Sequence, residues 1–262
     1  MDLLYLLTGA SVGLIIGLTG VGGGSLMTPI LVLGFGIQPA VAVGTDLLYA
    51  AITKSGGVFF HQKQGTVDWT VVRLLASGSI PSSLITVYIL SELKNTDFNY
   101  EKLMMLTLSI MLILTSVVVF QRKTLLNYLH ESLHSKSGLI SNLLLHRNEI
   151  TLISGIFLGF VVTLSSVGAG AIGSAILFIL YPRKPAVAIV GTDLAHAIPL
   201  TAIAGFGHLQ LGSVDFELLV GLLVGGIPAI YLGSLIGKNM PDKLLRGFIA
   251  TILLLMGLAL SI

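Results

Sequence analysis

Cysteine is absent from the 262-residue chain, and charged residues make up only 10% of it. The absence of cysteine excludes disulfides, cysteine-ligated zinc and thiol-based substrate relays. The scarcity of charge excludes an ordinary soluble domain, in which about a quarter of the residues are charged. The net charge is +2, and the basic residues lie in short loops and not on one long basic face. Nucleic acid is therefore not expected as a partner.

Two nucleotide-binding motifs are also missing. No Gly-Lys-Ser or Gly-Lys-Thr follows any glycine cluster, which excludes a Walker A loop. The glycines near position 20, with Asp46 downstream, imitate a dinucleotide-binding loop, but Ser25 interrupts the required spacing and the flanks are apolar. The sequence predicts neither a cofactor nor a metal site.

Long apolar segments dominate what is present, since 54% of the residues are hydrophobic. Residues 103–120 (LMMLTLSIMLILTSVVVF) and 244–262 are as long as a bilayer crossing requires. The sequence therefore predicts an all-α, polytopic protein of the cell membrane, with the lipid bilayer as its surroundings.

The chain is internally duplicated. PAVAVGTDLLYA, which begins at Pro39, returns as PAVAIVGTDLAHA from Pro185, and GTVDW returns as GSVDF. Upstream, GVGGGS from Gly20 lies opposite SVGAGA from Ser166. A register kept over this length indicates two structural repeats.

Each repeat is predicted to contain a broken apolar segment followed by three transmembrane helices. These helices are expected near 40–60, 70–90 and 102–120, and again near 185–206, 215–236 and 243–261. Residues 1–120 then form an N-terminal transmembrane repeat, 121–148 a cytoplasmic linker and 149–262 a C-terminal repeat. Within residues 121–148, Leu125, Leu129 and Leu133 recur every fourth position, which would also suit a short surface helix, but the linker is favoured.

The broken segments could each form one discontinuous crossing or a re-entrant hairpin. The positive-inside rule favours the hairpin, because only Lys94 and Lys102 then lie opposite the other basic loop residues. The residues gathered on the cytoplasmic face are Lys63, Arg122, Lys123, Lys136, Arg147, Arg183, Lys184, Lys238, Lys243 and Arg246. The two repeats would consequently be inverted, with both termini outside the cytoplasm, as in many secondary transporters.

Clustered glycines break each apolar segment, and such backbone persists in a membrane only when it is buried in protein or lines a cavity. The helix that restarts after each break offers unpaired amides and the positive end of its dipole, which together bind anions. The predicted substrate-binding residues are Gly22, Gly23, Gly24, Ser25, Gly168, Ala169, Gly170 and Ala171. Close helix packing is the alternative role of such small residues, and it is favoured for the evenly spaced Gly9, Gly13 and Gly17.

Four polar residues lie inside predicted spans, where ionisable groups are costly and often functional. Asp46 and Asp193 belong to the duplicated Gly-Thr-Asp and are either acceptors for a broken helix or proton carriers. Lys54 either supplies charge to a substrate or extends to the cytoplasmic surface. His196 replaces Tyr49 in the second repeat and is either a substrate donor or a packing residue.

GLTGVGGGSLMTP, AVGTDLLYA and HQKQGTVDW, with SVGAGAIGSAILF, IVGTDLAHA and HLQLGSVDF, resemble the TauE/SafE family of permeases over nearly the whole chain. The resemblance implies an inner-membrane carrier that exports sulfite, organosulfonates or related small anions. It also assigns the family's glycine loop to residues 20–25 and its Gly-Thr-Asp to residues 44–46. The second glycine loop departs from this pattern at Ala169 and Ala171.

The favoured function is secondary transport of a small sulfur oxyanion by alternating access, with the anion held at the midplane by glycine-loop amides and protons as a possible coupling ion. An intramembrane hydrolase that pairs Ser25 or Ser174 with His196 is the alternative. Neither Ser25 nor Ser174 lies in a Gly-x-Ser-x-Gly motif, so the protein is not expected to be an enzyme.

Overall fold

The structure, a computed structural model, describes residues 2–19, 24–134, 145–237 and 242–261. Within these residues all regular structure is α-helical, which confirms the predicted all-α class. The helices are α1 (Leu3–Thr19), α2 (Gly24–Phe35), α3 (Pro39–Lys63), α4 (Trp69–Lys94), α5 (Tyr100–His134), α6 (Arg147–Ser165), α7 (Ala171–Leu180), α8 (Ala186–Gln210), α9 (Phe216–Gly237) and α10 (Asp242–Ser261).

Five helices in the described ranges are long and apolar enough to cross a membrane, so the chain is a multi-pass membrane protein. They are α4, the Tyr100–Arg122 part of α5, α6, α8 and the Phe216–Ile236 part of α9. Two predicted spans are outside this set: α3 is long enough but carries Asp46 and Lys54, and the apolar part of α10, Leu245–Ser261, is a shorter helix.

The predicted linker begins as a helix. α5 continues without a break from the apolar residues 103–120 to His134. Residues 121–134 are therefore helical, because strong helix formers follow the span and extend it, and the assignment of residues 121–148 as a linker stays a prediction. Residues 135–144 lie outside the described ranges.

A change of backbone conformation separates α6 from α7. Ser166, which ends α6, is left-handed with φ 57°, and Gly168 and Gly170 have φ of 122° and 133°. Glycine adopts such angles at little steric cost, whereas a residue with a β-carbon does not. The predicted break in the second repeat is therefore present as a turn between two helices.

Each broken segment folds back on itself. Near the start of α6, Thr151 Oγ1 lies 3.0 Å from the hydroxyl of Tyr181, directly after α7. In the first repeat the rings of Tyr5 and Phe35 have centroids 6.0 Å apart, which brings the start of α1 to the end of α2. Both pairs of helices are thus hairpins. α6 has 19 residues, about 28 Å of helix.

Glycines on α1 bring that helix close to α9. A β-carbon at Gly9 would overlap the carbonyl oxygen of Leu222, and one at Gly13 would overlap that of Gly226. The residue numbers of the contacting pairs increase together along both helices, so α1 and α9 run parallel. The packing role predicted for these evenly spaced glycines is confirmed.

Contacts between the two repeats occur in matched pairs. The amide of Asp68 donates to Thr192 Oγ1 at 3.0 Å, and the amide of Asp215 donates to Thr45 Oγ1 at 3.1 Å. The two hydrogen bonds are equivalent, because Asp68 corresponds to Asp215 and Thr192 to Thr45 in the sequence repeat. The duplicated Gly-Thr-Asp threonine therefore anchors the start of a helix in the opposite repeat.

Matching helices of the two repeats pack side by side in opposite directions. Ser109 Oγ on α5 donates to the carbonyl of Gly257 on α10, and Ser116 Oγ donates to that of Ala250. The partner number falls as the α5 number rises, so α5 and α10 are antiparallel. The same order holds for α3 and α8, which meet through Leu48 with Gly205 and Gly57 with Leu194.

Aspartates cap α4 and α9, as their positions predict. Asp68 Oδ1 accepts from the amides of Thr70 and Val71, and Asp215 caps α9 in the same way. Of these two aspartates, only Asp68 pairs with a cation within the described residues, Lys184 Nζ at 2.6 Å. Partial burial raises the pKa of Asp68, but the Lys184 bond and the capping amides outweigh it and hold the pKa below its ordinary value.

We expect Asp68→Ala to lower the stability of the protein by about 1 kcal/mol through the lost cap, with a further small loss from the salt bridge. Asp215→Ala is the matched control, since it removes a cap alone. Because the folded pKa of Asp68 is depressed, its contribution is fully present above pH 3.8 and is lost as the pH falls through the folded pKa. Thermal unfolding in detergent measures both effects, and equal losses in the two variants would contradict a role for Lys184.

Candidate functional site

Lys54 on α3 connects the first repeat to the glycine break of the second. Its Nζ donates to the carbonyl of Ala169 at 3.2 Å. The ammonium is also close enough to Asp46 and Asp193 to interact electrostatically with both carboxylates. These contacts direct the half-buried side chain toward the second glycine break, which favours the role of supplying charge to a substrate.

Asp46 joins two broken segments. Its carboxylate is fully buried and accepts a hydrogen bond from the hydroxyl of Thr28 on α2. The same carboxylate faces the side chain of Ser166, the left-handed residue at the end of α6. Thr28 is therefore the donor to Asp46 Oδ2, whereas Oδ1 has no hydrogen-bond partner within the described residues.

Asp193 has a different environment from its repeat counterpart. The side chain is 2% exposed, and its carboxylate packs directly on Gly173 in the first turn of α7. Within the described residues Oδ1 has no hydrogen-bond partner. Ser174, which matches Thr28 in the repeat, donates instead to the carbonyl of Ala171. Of the two carboxylates, Asp193 is therefore the one with fewer donors to hold its charge.

His196 contacts a residue that the sequence did not single out. Its Nε2 lies 2.8 Å from the hydroxyl of Ser79 on α4, and both side chains are fully buried. In the matched contact the hydroxyl of Tyr49 lies against Gly226. Nδ1 of His196 has no partner in the described part of the chain. The pairing of His196 with Ser174 that the alternative hydrolase would use is not formed, since Ser174 bonds to its own helix.

The start of α7 presents amides toward this cluster. No side chain caps Gly170, and the first bonds of the new helix run from the amide of Gly173 to Gly168 and from that of Ser174 to Gly170. The preceding amides have no carbonyl within the helix to bond to. Gly170 and Ala171 are only partly buried. A positive helix end and the Lys54 ammonium therefore lie on the same segment of backbone.

Comparison with known proteins places the chain in a family. The family described as Sulfite exporter TauE/SafE matches residues 5–260. The chain belongs to the TauE/SafE family. It is 36% identical to the probable membrane transporter protein YjnA of Bacillus subtilis, covering 99% of this chain and 100% of that protein.

Other TauE/SafE relatives are more distant. The probable membrane transporter protein YdhB of Bacillus subtilis is 28% identical over 90% of this chain and 91% of its own length. The probable membrane transporter protein MJ0441 of Methanocaldococcus jannaschii is 28% identical over 97% of this chain and 93% of its own length. No solved structure matches the chain significantly. The expectation of a membrane transporter, and not an enzyme, agrees with these relatives.

The structure gathers most of the polar residues predicted for this TauE/SafE protein. Asp46, Asp193 and His196 all lie within electrostatic reach of Lys54. For the first glycine loop, Gly22 and Gly23 lie outside the described residues, Gly24 begins α2, and Ser25 is buried. In the second loop, Gly168, Ala169, Gly170 and Ala171 form the turn that Lys54 contacts.

Sequence reasoning missed three residues that complete the TauE/SafE cluster: Thr28, Ser79 and Ser166. One signal was available for Thr28, because a hydroxyl occupies the matching position in both repeats, as Thr28 and Ser174. Ser79 gives no such signal, since its counterpart is Gly226. Ser166 falls in the break itself, where a left-handed serine is not distinguishable in sequence from a loop residue.

Proposed function

We propose that the protein is a secondary transporter that moves a small anion, a sulfur oxyanion such as sulfite or an organosulfonate, across the cell membrane. The observation that carries the proposal is the contact of Lys54 Nζ with Ala169 O at the uncapped start of α7. An ammonium beside free helix amides provides charge-assisted hydrogen bonds to an oxyanion. The description of the family as a sulfite exporter supports the choice of substrate class.

The charge of the cluster supports protons as the coupling ion. Asp46 and Asp193 bring two carboxylates to one ammonium, Lys54, in a buried site. An added anion would leave three negative charges against one positive, which is costly where water is scarce. Protonation of one carboxylate as the anion binds reduces that imbalance. Asp193 is the better proton acceptor on geometric grounds, because Thr28 already donates to Asp46.

The architecture proposed for transport is a pair of inverted repeats that alternate in access around this cluster. Support comes from the antiparallel packing of matching helices, α5 with α10 and α3 with α8. Inversion relates the two repeats by a two-fold axis in the membrane plane. When each repeat adopts the conformation that the other had, the site therefore opens to the opposite side of the membrane. With the basic loops on the cytoplasmic face, both termini lie outside.

Uptake into vesicles tests the proposal. We expect purified protein in liposomes to take up radiolabelled sulfite faster than protein-free liposomes, and a pH gradient that supplies protons on the side of uptake to increase the rate. Competition by unlabelled anions identifies the substrate class. The competitors are sulfate, an organosulfonate and a small carboxylate. Uptake of none of these anions above the protein-free rate would contradict the proposal. If the uptake rate did not change with a pH gradient, only the proposed coupling to protons would be contradicted.

A further inference from the structure

A second polar site lies at the membrane surface, away from the Lys54 cluster. A cleft of about 470 Å³ opens where the start of α4 meets the start of α6 and the end of α7. Arg73, Arg147 and Lys184 contribute to its walls, and an adjoining cleft of about 430 Å³ adds Arg183. Two connected clefts thus share Arg147 and Lys184.

The lining carries more positive than negative charge. Asp68 is the one carboxylate among the described residues that line the two clefts, and Lys184 already pairs with it at 2.6 Å. Arg147 lies over the ring of Tyr181, 5.9 Å from its centroid, which restricts the guanidinium to one side of the cleft. Three guanidinium groups, those of Arg73, Arg147 and Arg183, are left to receive an external anion.

The opposite repeat has the same scaffold without the charge. Thr151 with Tyr181 corresponds to Tyr5 with Phe35, which are also in contact, and Asp68 corresponds to Asp215. The positions of three of the four cations, however, hold uncharged residues in the first hairpin and on α9. Val220 stands for Arg73, Ile37 for Arg183 and Gln38 for Lys184. The fold alone therefore does not require these cations, which points to a ligand present on one face only.

Apolar side chains continue from the cleft along α6. Ile153, Ile156 and Phe157 are 62%, 46% and 43% exposed, within three turns of Arg147. Trp69, at the start of α4 beside Asp68, is 42% exposed, as is usual for a residue at the lipid headgroup level. A ligand that fills the cleft with an anionic group therefore meets a surface suited to hydrocarbon directly beneath it.

From the paired clefts, their arginines and the apolar surface below them, we infer that this site binds the phosphate headgroup of an anionic phospholipid of the cytoplasmic leaflet. Basic pockets between transmembrane helices on the cytoplasmic side bind such headgroups, and guanidinium groups match phosphate with paired hydrogen bonds. The inference does not rest on the proposed transport function. It uses only the orientation that places the basic loops in the cytoplasm.

Lipid binding to the purified full-length protein in detergent tests the inference. Native mass spectrometry compares phosphatidylglycerol with phosphatidylcholine, and inorganic phosphate is added as a competitor. We expect phosphatidylglycerol to bind more tightly and the double variant Arg73→Gln with Arg147→Gln to weaken it about 30-fold, from about 1 kcal/mol for each basic residue. Lys102→Gln, which removes an exposed cation on the opposite face, is the control and should bind as the wild type does.

Three outcomes would overturn the inference. Equal binding of the two lipids would show that the headgroup charge is not recognised, and unchanged binding in the double variant would place any lipid elsewhere. Complete displacement by inorganic phosphate would assign the clefts to a free anion. Arg73→Lys with Arg147→Lys keeps the charge, so retained binding in that variant separates loss of charge from loss of folding.

Discussion

Replacing Lys54 by methionine is expected to reduce anion uptake about 10- to 100-fold, the loss of one hydrogen bond to a charged group. Methionine keeps the length and the apolar stem of the side chain but removes the ammonium that contacts Ala169 O and both carboxylates. The anion then meets two aspartates with no cation between them. Uptake of labelled sulfite into liposomes, at equal amounts of protein, measures the loss.

Lys94 provides the matched control for that variant. It is also a lysine whose Nζ donates to a backbone carbonyl, that of Leu211, but it is exposed at the end of α4. Lys94→Met should transport at nearly the wild-type rate. If Lys54→Met unfolds because two carboxylates stay buried without a cation, adding Asp193→Asn should restore folding and not uptake. Wild-type uptake by folded Lys54→Met would contradict the proposed role.

The duplication made much of this fold predictable. It set the register between the repeats, and five of the six expected transmembrane helices lie within a few residues of their observed bounds, because apolar length and glycine clusters act locally. The turn at Gly168 and Gly170 was likewise expected, since clustered glycines favour positive φ. Only the continuation of α5 to His134 differed, because nothing in the polar sequence after Phe120 stops a helix.

The partners within the cluster were less predictable. Lys54 and Ala169 are 115 positions apart, and Ser79 and His196 are 117 apart, so only the packing of one repeat on the other brings them together. A single sequence locates polar residues inside spans but not the side chains they face. Two roles stayed open for Lys54 for that reason, because its own helix does not reveal the Ala169 carbonyl.

The two repeats share a scaffold and differ in chemistry. Lys54 is matched by Thr201, Tyr49 by His196 and the arginine-lined cleft by uncharged residues. A backbone with two equivalent repeats suits an outward-open and an inward-open conformation of similar energy. The Lys54 ammonium, which has no counterpart in the second repeat, provides one charged site in both conformations. In the proposed mechanism the asymmetry of the side chains, and not of the fold, would determine where the anion binds and which face binds lipid.

Replacing Gly173 by alanine is expected to reduce uptake about 10-fold or more, because the added β-carbon would overlap the Asp193 carboxylate and overpacking a buried site costs about 1–3 kcal/mol. The carboxylate must then turn away from α7, which separates the proposed proton carrier from the amides that bind the anion. Gly56→Ala on α3 is the control, since a β-carbon there meets nothing within 4 Å. It should transport normally and be slightly more stable, as alanine favours a helix by about 1 kcal/mol. Sulfite uptake with and without a pH gradient measures both variants. If Gly173→Ala transported as fast as Gly56→Ala and kept its response to the gradient, the position of Asp193 against α7 would have no part in coupling.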